Sequence, residues 1–454
     1  MLHHAKNFFY HLKGSGDPYR TSSLLFILKC AFAHYVAQIV SGAYLARLTA
    51  NLGFSDSMTG LLSAFISLSG CFQLASLFLM KKSGSMKWKI ILSIQVSQIL
   101  FTFIYLVPLF EMDAAQKRLL FLCGFALAYI LLSAVTPNLT AWQMSLVAED
   151  RRGRYTAVNE MFSLLTGMVF TYVMSALIDK YEAVGDIHSA LVVGVVTMAV
   201  LTVVHALIFV FIKEKPTDEA ILQKEQEAAF PEKKQPASDR FAFLKNRMMW
   251  KVVGVILLWY VITYVSTPFY GAYQIHELGF NMTFVSILGI LYGVIRSLFS
   301  PFIGRYADRH SFSRSTYICM MITIASFLAN CFTVPENGQV MYTIYYCLSA
   351  LAAAGISSAQ TNLIFDYVPR GQCRQALAVC AAVSGVVGFL TTCVMSPVVD
   401  LIQKNGNRIF GIPMYAGQFV SVVALLLSVV LFLYIHFVFI KKNPPRVRDL
   451  EPEN

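Results

Sequence analysis

Charge is what this chain of 454 residues has least of: Asp, Glu, Lys and Arg make up 13% of it, against 57% hydrophobic residues. A soluble domain carries about 25% charged residues. Too little polar surface is left to coat a globule in water, so the soluble-enzyme, collagen-like and disordered classes fall away. The nine cysteines are scattered singly through apolar segments without C-x-x-C spacing. They read as small core hydrophobes and exclude a disulfide framework or a thiolate metal site. The first twenty residues lack a sustained apolar stretch and a small-residue cleavage site, so no cleaved leader is expected. No P-loop, HExxH or GxSxG motif occurs, and no nucleophile and base can be paired. The chain is therefore read as neither an ATP-driven pump nor an enzyme, with no cofactor and no metal.

What the sequence does have is long apolar runs. A bilayer crossing takes about 20 apolar residues, and such windows fall near 24–48, 58–80, 88–110, 118–145, 157–178 and 189–212, then 250–275, 283–303, 315–334, 341–366, 375–401 and 411–440. Twelve crossings place both chain ends on one side. Of the 36 Lys and Arg residues, 28 lie at the ends or in loops on that side; six (Arg47, Lys117, Arg118, Lys180, Lys404 and Arg408) lie in the opposite loops, and Lys29 and Arg296 lie within crossings. Basic loops mark the cytoplasmic face, so the expectation is a multi-pass plasma-membrane protein with cytoplasmic termini. Short loops and scattered cysteines fit a bacterial inner membrane. The net charge of +11 is then accounted for by contact with anionic lipid headgroups, and no nucleic-acid partner is expected. One long hydrophilic stretch, beginning at Lys213 and containing Pro216, Pro231 and Pro236, separates crossings six and seven. The organisation read from it is an N-terminal six-helix bundle over 1–212, a cytoplasmic linker over 213–249, a C-terminal bundle over 250–440 and a tail over 441–454.

The two halves share a faint repeat. Gly42-Ala43-Tyr44 and Gly271-Ala272-Tyr273 stand 229 residues apart, Leu52-Gly53-Phe54 and Leu278-Gly279-Phe280 stand 226 apart, and Arg154 and Arg374 in the loops after crossings four and ten stand 220 apart. Three ordered matches at equivalent places point to duplication.

The loop after crossing eight reads GRYADRHSFSR, from Gly304 to Arg314. It resembles the G-x-x-x-D-R-x-x-x-x-R loop of the major facilitator superfamily, and the whole chain is similar to that family's plan: an all-α membrane fold of twelve helices in two pseudo-symmetric six-helix bundles. The resemblance implies that Gly304 turns tightly at a helix end while Asp308, Arg309 and Arg314 form a cytoplasmic latch, with Asp366 and Arg374 as partners and Arg154 with Glu160 as a first-half counterpart. The equivalent first-half loop, Leu79 to Lys89, has no acidic residue, which leaves that side of the latch degenerate.

Polar side chains in a bilayer need a partner or a wet cavity, so stripes at helical spacing point inward. Crossing one carries His34, Gln38 and Ser41; crossing four carries Ser133, Thr136, Thr140 and Gln143; crossing seven carries Tyr260, Tyr264, Thr267 and Gln274; crossing ten carries Tyr346, Ser349, Ser357 and Gln360. The repeat superposes Gln38 on Thr267 and Thr140 on Gln360. The candidate substrate set is His34, Gln38, Ser41, Thr140, Tyr260, Tyr264, Thr267, Gln274, Arg296, Tyr346 and Gln360; helix-to-helix hydrogen bonding is the alternative use of the polar residues of the stripes. Pro268 and Gly271 in crossing seven interrupt the hydrogen-bond ladder and suit a bend at the outer mouth.

Two cations within the spans remain. Lys29 lies near its end of crossing one, where it can snorkel. Arg296 lies about 12 Å from Gly304 at 1.5 Å per residue, where it can contact a charged substrate, pair with Glu160 or Asp366, or snorkel. Glu277, Asp179 and Asp400 stand at outer helix ends, and coupling to H⁺ through Glu160 or His34, or to Na⁺, is compatible with the sequence. The functional expectation is a monomeric secondary transporter, embedded in membrane lipid, that moves a small polar solute, anionic or sugar-like, by alternating access. Amphiphile efflux is the alternative, and a solute sensor of the same fold a third reading.

Overall fold

The computed structural model describes residues 19–75, 86–147, 152–214, 247–368, 373–409 and 411–445. Most of the linker and of the tail lies outside these ranges, as do the side chains of Arg154, Ser357, Gln360 and Arg374.

Eleven helices among the described residues are long and apolar enough to cross a membrane. The second crossing supplies the twelfth in two pieces, an α-helix over Asp56–Ser69 and a 3₁₀ segment over Gly70–Ala75. The helix ends are set locally. Ser55, Asp186, Asn281 and Ser311 each accept the backbone N–H three residues on, opening crossings two, six, eight and nine, which satisfies amides that a helix start otherwise leaves bare. Between crossings eleven and twelve, Arg408–Ile409 pairs antiparallel with Ile412–Pro413. Buried apolar residues form one large cluster in the second half and two in the first, one of them around Phe26, Ile94, Trp142 and Phe209.

Crossing one is not the single helix that its apolar run predicts. It divides into Arg20–Ile39 and Gly42–Ala50, with Ser41 extended and Gly42 at φ +56°. That backbone conformation is open to glycine and strained for residues with a Cβ. The Tyr105 hydroxyl from crossing three donates to the carbonyl of Ile39, freed by the break, and Ser41 Oγ donates to Ala37 O at 2.7 Å. Freed backbone groups in a bilayer must find such partners.

Crossing seven runs unbroken as α-helix from Arg247 through Pro268 to Ala272 and ends in a π turn over Tyr273–Glu277. Pro268 has no N–H to offer the carbonyl of Tyr264, four residues earlier. Thr392 Oγ1 of crossing eleven donates to that oxygen instead, at 2.8 Å.

Candidate functional site: the space between the halves

The halves meet on the side away from the termini. Gly42 and Gly271 bring backbone against backbone: a Cβ on Gly271 would lie 2.6 Å from the carbonyl oxygen of Gly42. The ring of Phe269 in crossing seven rests against Gly60 of crossing two, and a Cβ on Gly385 would lie 3.0 Å from Ser67 O. Ser396 Oγ donates to Ser57 O at 3.0 Å. Asp179 of crossing five accepts the N–H groups of Met282 and Thr283 at 2.9 and 2.7 Å, so an acid from one half caps the first turn of crossing eight in the other. Ser175 and Ser286 hydroxyls join one turn deeper, and Met168 fills the space over Gly293 deeper still.

Below Gly293 the two helices separate. Residues 296–302 are all exposed, on every face of crossing eight, and Glu160, Met161 and Phe162 are exposed on crossing five. Among the described residues, crossings five and eight are therefore joined on the far side and parted toward the side that carries both termini.

The opening leads up to the Gly42–Gly271 crossing, and several expected site residues stand just beneath it. Gln38 and Thr267 each precede their glycine by four residues. Gln38 Nε2 lies 3.1 Å from His34 Nε2; the imidazole in turn rests on Gly167, where a Cβ would come within 2.7 Å of its ring. In the opposite half, Tyr260 and Tyr264 stack with centroids 6.0 Å apart and planes 8° from parallel. Gly388 makes room for the Tyr264 ring, since a Cβ there would lie 2.7 Å from it. Thr267 and Thr140 are exposed, while His34, Gln38, Tyr260 and Tyr264 are half-buried. These residues offer an amide, an imidazole, hydroxyls and two ring faces, groups able to hydrogen-bond and stack.

Other expected residues are placed differently. Ser41 sits at the helix break and not on the stripe with His34 and Gln38, because the chain leaves helical geometry at Val40. Gln274 is buried at the far end of crossing seven, donating to the hydroxyls of Tyr342 and Tyr346 at 3.0 and 2.8 Å. Both amide hydrogens are thus taken by a tyrosine cluster that also contains Tyr270, Tyr273 and Tyr345, so Gln274 and Tyr346 hold helices seven and ten together. Ser133 bonds to Ser69 at 2.9 Å, joining crossings four and two, and Gln143 reaches toward Tyr155 at 3.5 Å. The stripe of crossing four is therefore largely helix-packing contact.

Gly304 does not turn the chain. The helix continues to Arg309, and the turn falls at His310 and Ser311. Asp308, Arg309 and Arg314 are exposed, and among the described residues none of them forms an ion pair, as an open terminal side requires of a latch that joins the halves there. Arg296 is exposed where crossings five and eight part and pairs with neither Glu160 nor Asp366. Lys29 does not snorkel. It is 3% exposed, its ammonium 5.0 Å from the Phe209 ring and 6.0 Å from that of Phe26. Crossing six covers it, and aromatic faces stand where a counter-ion would otherwise be needed.

A far-side polar cluster was missed from sequence. His276 Nδ1 lies 2.6 Å from Asp56 Oδ1; Gln403 Nε2 donates to Asp56 Oδ2 at 2.7 Å and to Glu277 Oε1 at 2.9 Å. Glu277 Oε2 also accepts Gly417 N at 3.2 Å, at the start of crossing twelve. The available signal was the His276-Glu277 pair inside the second repeat element, where the first has Ala50-Asn51.

Two joined halves of six crossings, in contact on the far face and, among the described residues of crossings five and eight, parted toward the other, have the plan of a secondary transporter of alternating access. The family model for the Major Facilitator Superfamily matches residues 27–392 and 263–453, and the chain belongs to that superfamily. Solved structures agree in fold. A point mutant of the nucleoside transporter NupG superposes with a TM-score of 0.71 at 15% identity, covering 92% of this chain and 100% of that one. A D-xylose-proton symporter gives 0.63 at 14% identity over 91% and 96%. A bacterial homolog of the human lysosomal transporter Spinster, in an inward-facing and unoccupied conformation, gives 0.62 at 14% identity over 93% and 97%. No curated protein sequence matches the chain.

Proposed function

We propose that this transporter carries a small polar organic solute with a ring and several hydroxyls, of the nucleoside or sugar class, across a bacterial inner membrane, and that it performs no covalent chemistry on it. Two clusters carry this reading, one in each half and on the terminal side of the glycine crossing: the His34–Gln38 couple and the stacked Tyr260–Tyr264 rings. Amide and imidazole match hydroxyls and ring nitrogens, and tyrosine faces match a planar or pyranose ring. The names of the nucleoside transporter and the D-xylose-proton symporter support the class.

In this reading Gln38, His34, Thr140, Tyr260, Tyr264 and Thr267 contact the solute, and Arg296 at the mouth attracts anionic solutes or groups. The excess of Lys and Arg on the terminal side supports cytoplasmic termini, and in this reading the present state is open inward. Residues 213–249 link the halves there. When the inner side closes, Asp308, Arg309 and Arg314 gain partners, with Asp366, Arg374, Arg154 and Glu160 as candidates. The transporter works as a monomer, and H⁺ or Na⁺ drives accumulation.

The test is a thermal-stability screen of the purified protein against nucleosides, pentoses, hexoses, carboxylates, amino acids and cationic amphiphiles, since a ligand raises the melting point by mass action. Stabilisation by nucleosides or sugars that is lost in Gln38→Leu is expected. Stabilisation by amphiphiles alone would replace this reading with efflux.

A further inference from the structure

The far-side cluster holds two carboxylates and one base, and its members come from both halves. Asp56 belongs to the first half; His276, Glu277 and Gln403 belong to the second. The amide nitrogen of Gln403 gives its hydrogens to one oxygen of each acid, so both acids act as acceptors. The neighbouring charges are committed elsewhere. Arg47, on the helix packed beside this turn, pairs with Glu182, and Lys404 pairs with Asp400 at 2.5 Å. From the start of crossing twelve the backbone N–H groups of Ala416 and Gly417 reach the cluster, both at Glu277. Among the described residues, the one cation that can contact this cluster is therefore His276, at Asp56 and only when the imidazole is protonated, while Glu277 is itself a titratable member of it.

We propose that His276 is a proton-binding site by which the pH outside the cell sets the balance between the two states of the transporter. In the closed far side the imidazolium sits against Asp56 and a proton is held there. Opening carries Asp56 away with its half, leaves the imidazole in water and releases the proton. The closed state binds the proton more tightly, so acid favours closure by linkage. The sign follows from the unpaired histidine value of about 6.5: the extra stability of closure is fully present below that pH and is lost as the pH rises through the higher range in which the paired imidazole gives up its proton. The site faces one side only, so the proton is sensed there and not carried through. The inference rests on alternating opening but on no particular solute.

Spin labels at Val184 and Ile412, both exposed and at the far ends of opposite halves, report the opening directly. They are introduced into the full chain in lipid nanodiscs, with Cys123 and the half-buried cysteines replaced and no solute added. Between about pH 5.5 and 8.5 the ratio of long to short distances is expected to rise about five- to tenfold, within the range of ordinary coupling between sites. His276→Gln, which keeps a donor but cannot titrate, is expected to abolish the dependence, and Asp56→Asn to abolish it with the open population enlarged. A wild-type distribution that does not move with pH, or one that moves equally in His276→Gln, would overturn the proposal. Neither outcome touches the choice of solute, which the thermal screen decides separately.

Discussion

Gly42 and Gly271 touch across the axis that relates the two halves, with the backbone of one where a side chain of the other would have to be. They are the same residue of the repeat, 229 positions apart. The duplicated element that gave the halves their likeness is thus also the place where they close on each other. The residues four positions before each glycine, Gln38 and Thr267, stand beneath that seal.

Substituting Gly271 by Val should force the far side apart, because the nearest atoms to a new Cβ are backbone and cannot swing away. The expected result is a chain that folds, with far-side distances shifted to the open state and transport reduced by about tenfold or more, in line with a coupling of about 1–3 kcal/mol. Spin-label distances in Gly271→Val that match the wild type would show that the glycine contact is not what limits closure.

Thr392→Val should lower the melting point of the purified protein. The carbonyl of Tyr264 would lose its replacement donor opposite Pro268, and a buried unsatisfied acceptor costs about 1–3 kcal/mol. Thr392→Ser keeps the donor and should melt close to the wild type; equal loss in both variants would assign the effect to packing.

Much of the fold could be read in the sequence because apolar runs, basic loops and a half-length repeat each obey one dominant force. The run of crossings follows from the cost of burying charge and bare backbone in lipid. The finer placements depended on partners that a run of residues does not reveal. Pro268 interrupts the hydrogen-bond ladder as expected, but Thr392, more than a hundred residues away, supplies a replacement donor that its own run of residues could not reveal. Gly42 carried no such warning, and there the helix breaks, because Tyr105 satisfies the carbonyl that the break frees. Gln274 had the right spacing for the cavity, but a π turn and two tyrosine hydroxyls claim it. His34 and Gln38 meet each other, and Tyr260 and Tyr264 stack, because each pair is one helical turn apart on its own helix.

Lys29→Met should leave the thermal midpoint unchanged or raise it. The ammonium is buried against Phe209 and Phe26 with no carboxylate partner among the described residues, and replacing a buried charge with an apolar side chain of similar length removes a desolvation cost. A clear fall in melting temperature would mean that the cation holds crossings one and six together.

Arg296→Ala should spare folding and the uptake of neutral solutes while weakening binding of anionic ones by at least about tenfold, the effect of losing one charged contact of about 1.5–3 kcal/mol. Competition between a neutral solute and its phosphorylated or carboxylated analogue reads this directly. Equal loss for both would place Arg296 in the structure of crossing eight and not in recognition.

The most direct measurement is counterflow of a labelled nucleoside or pentose into proteoliposomes preloaded with the unlabelled compound. Transient accumulation of label, absent from empty liposomes and lost in both Gln38→Leu and Tyr264→Ala, is the expected result. Absence of exchange for every nucleoside and sugar, with the protein folded and correctly inserted, would contradict the solute class and the site beneath the glycine crossing together.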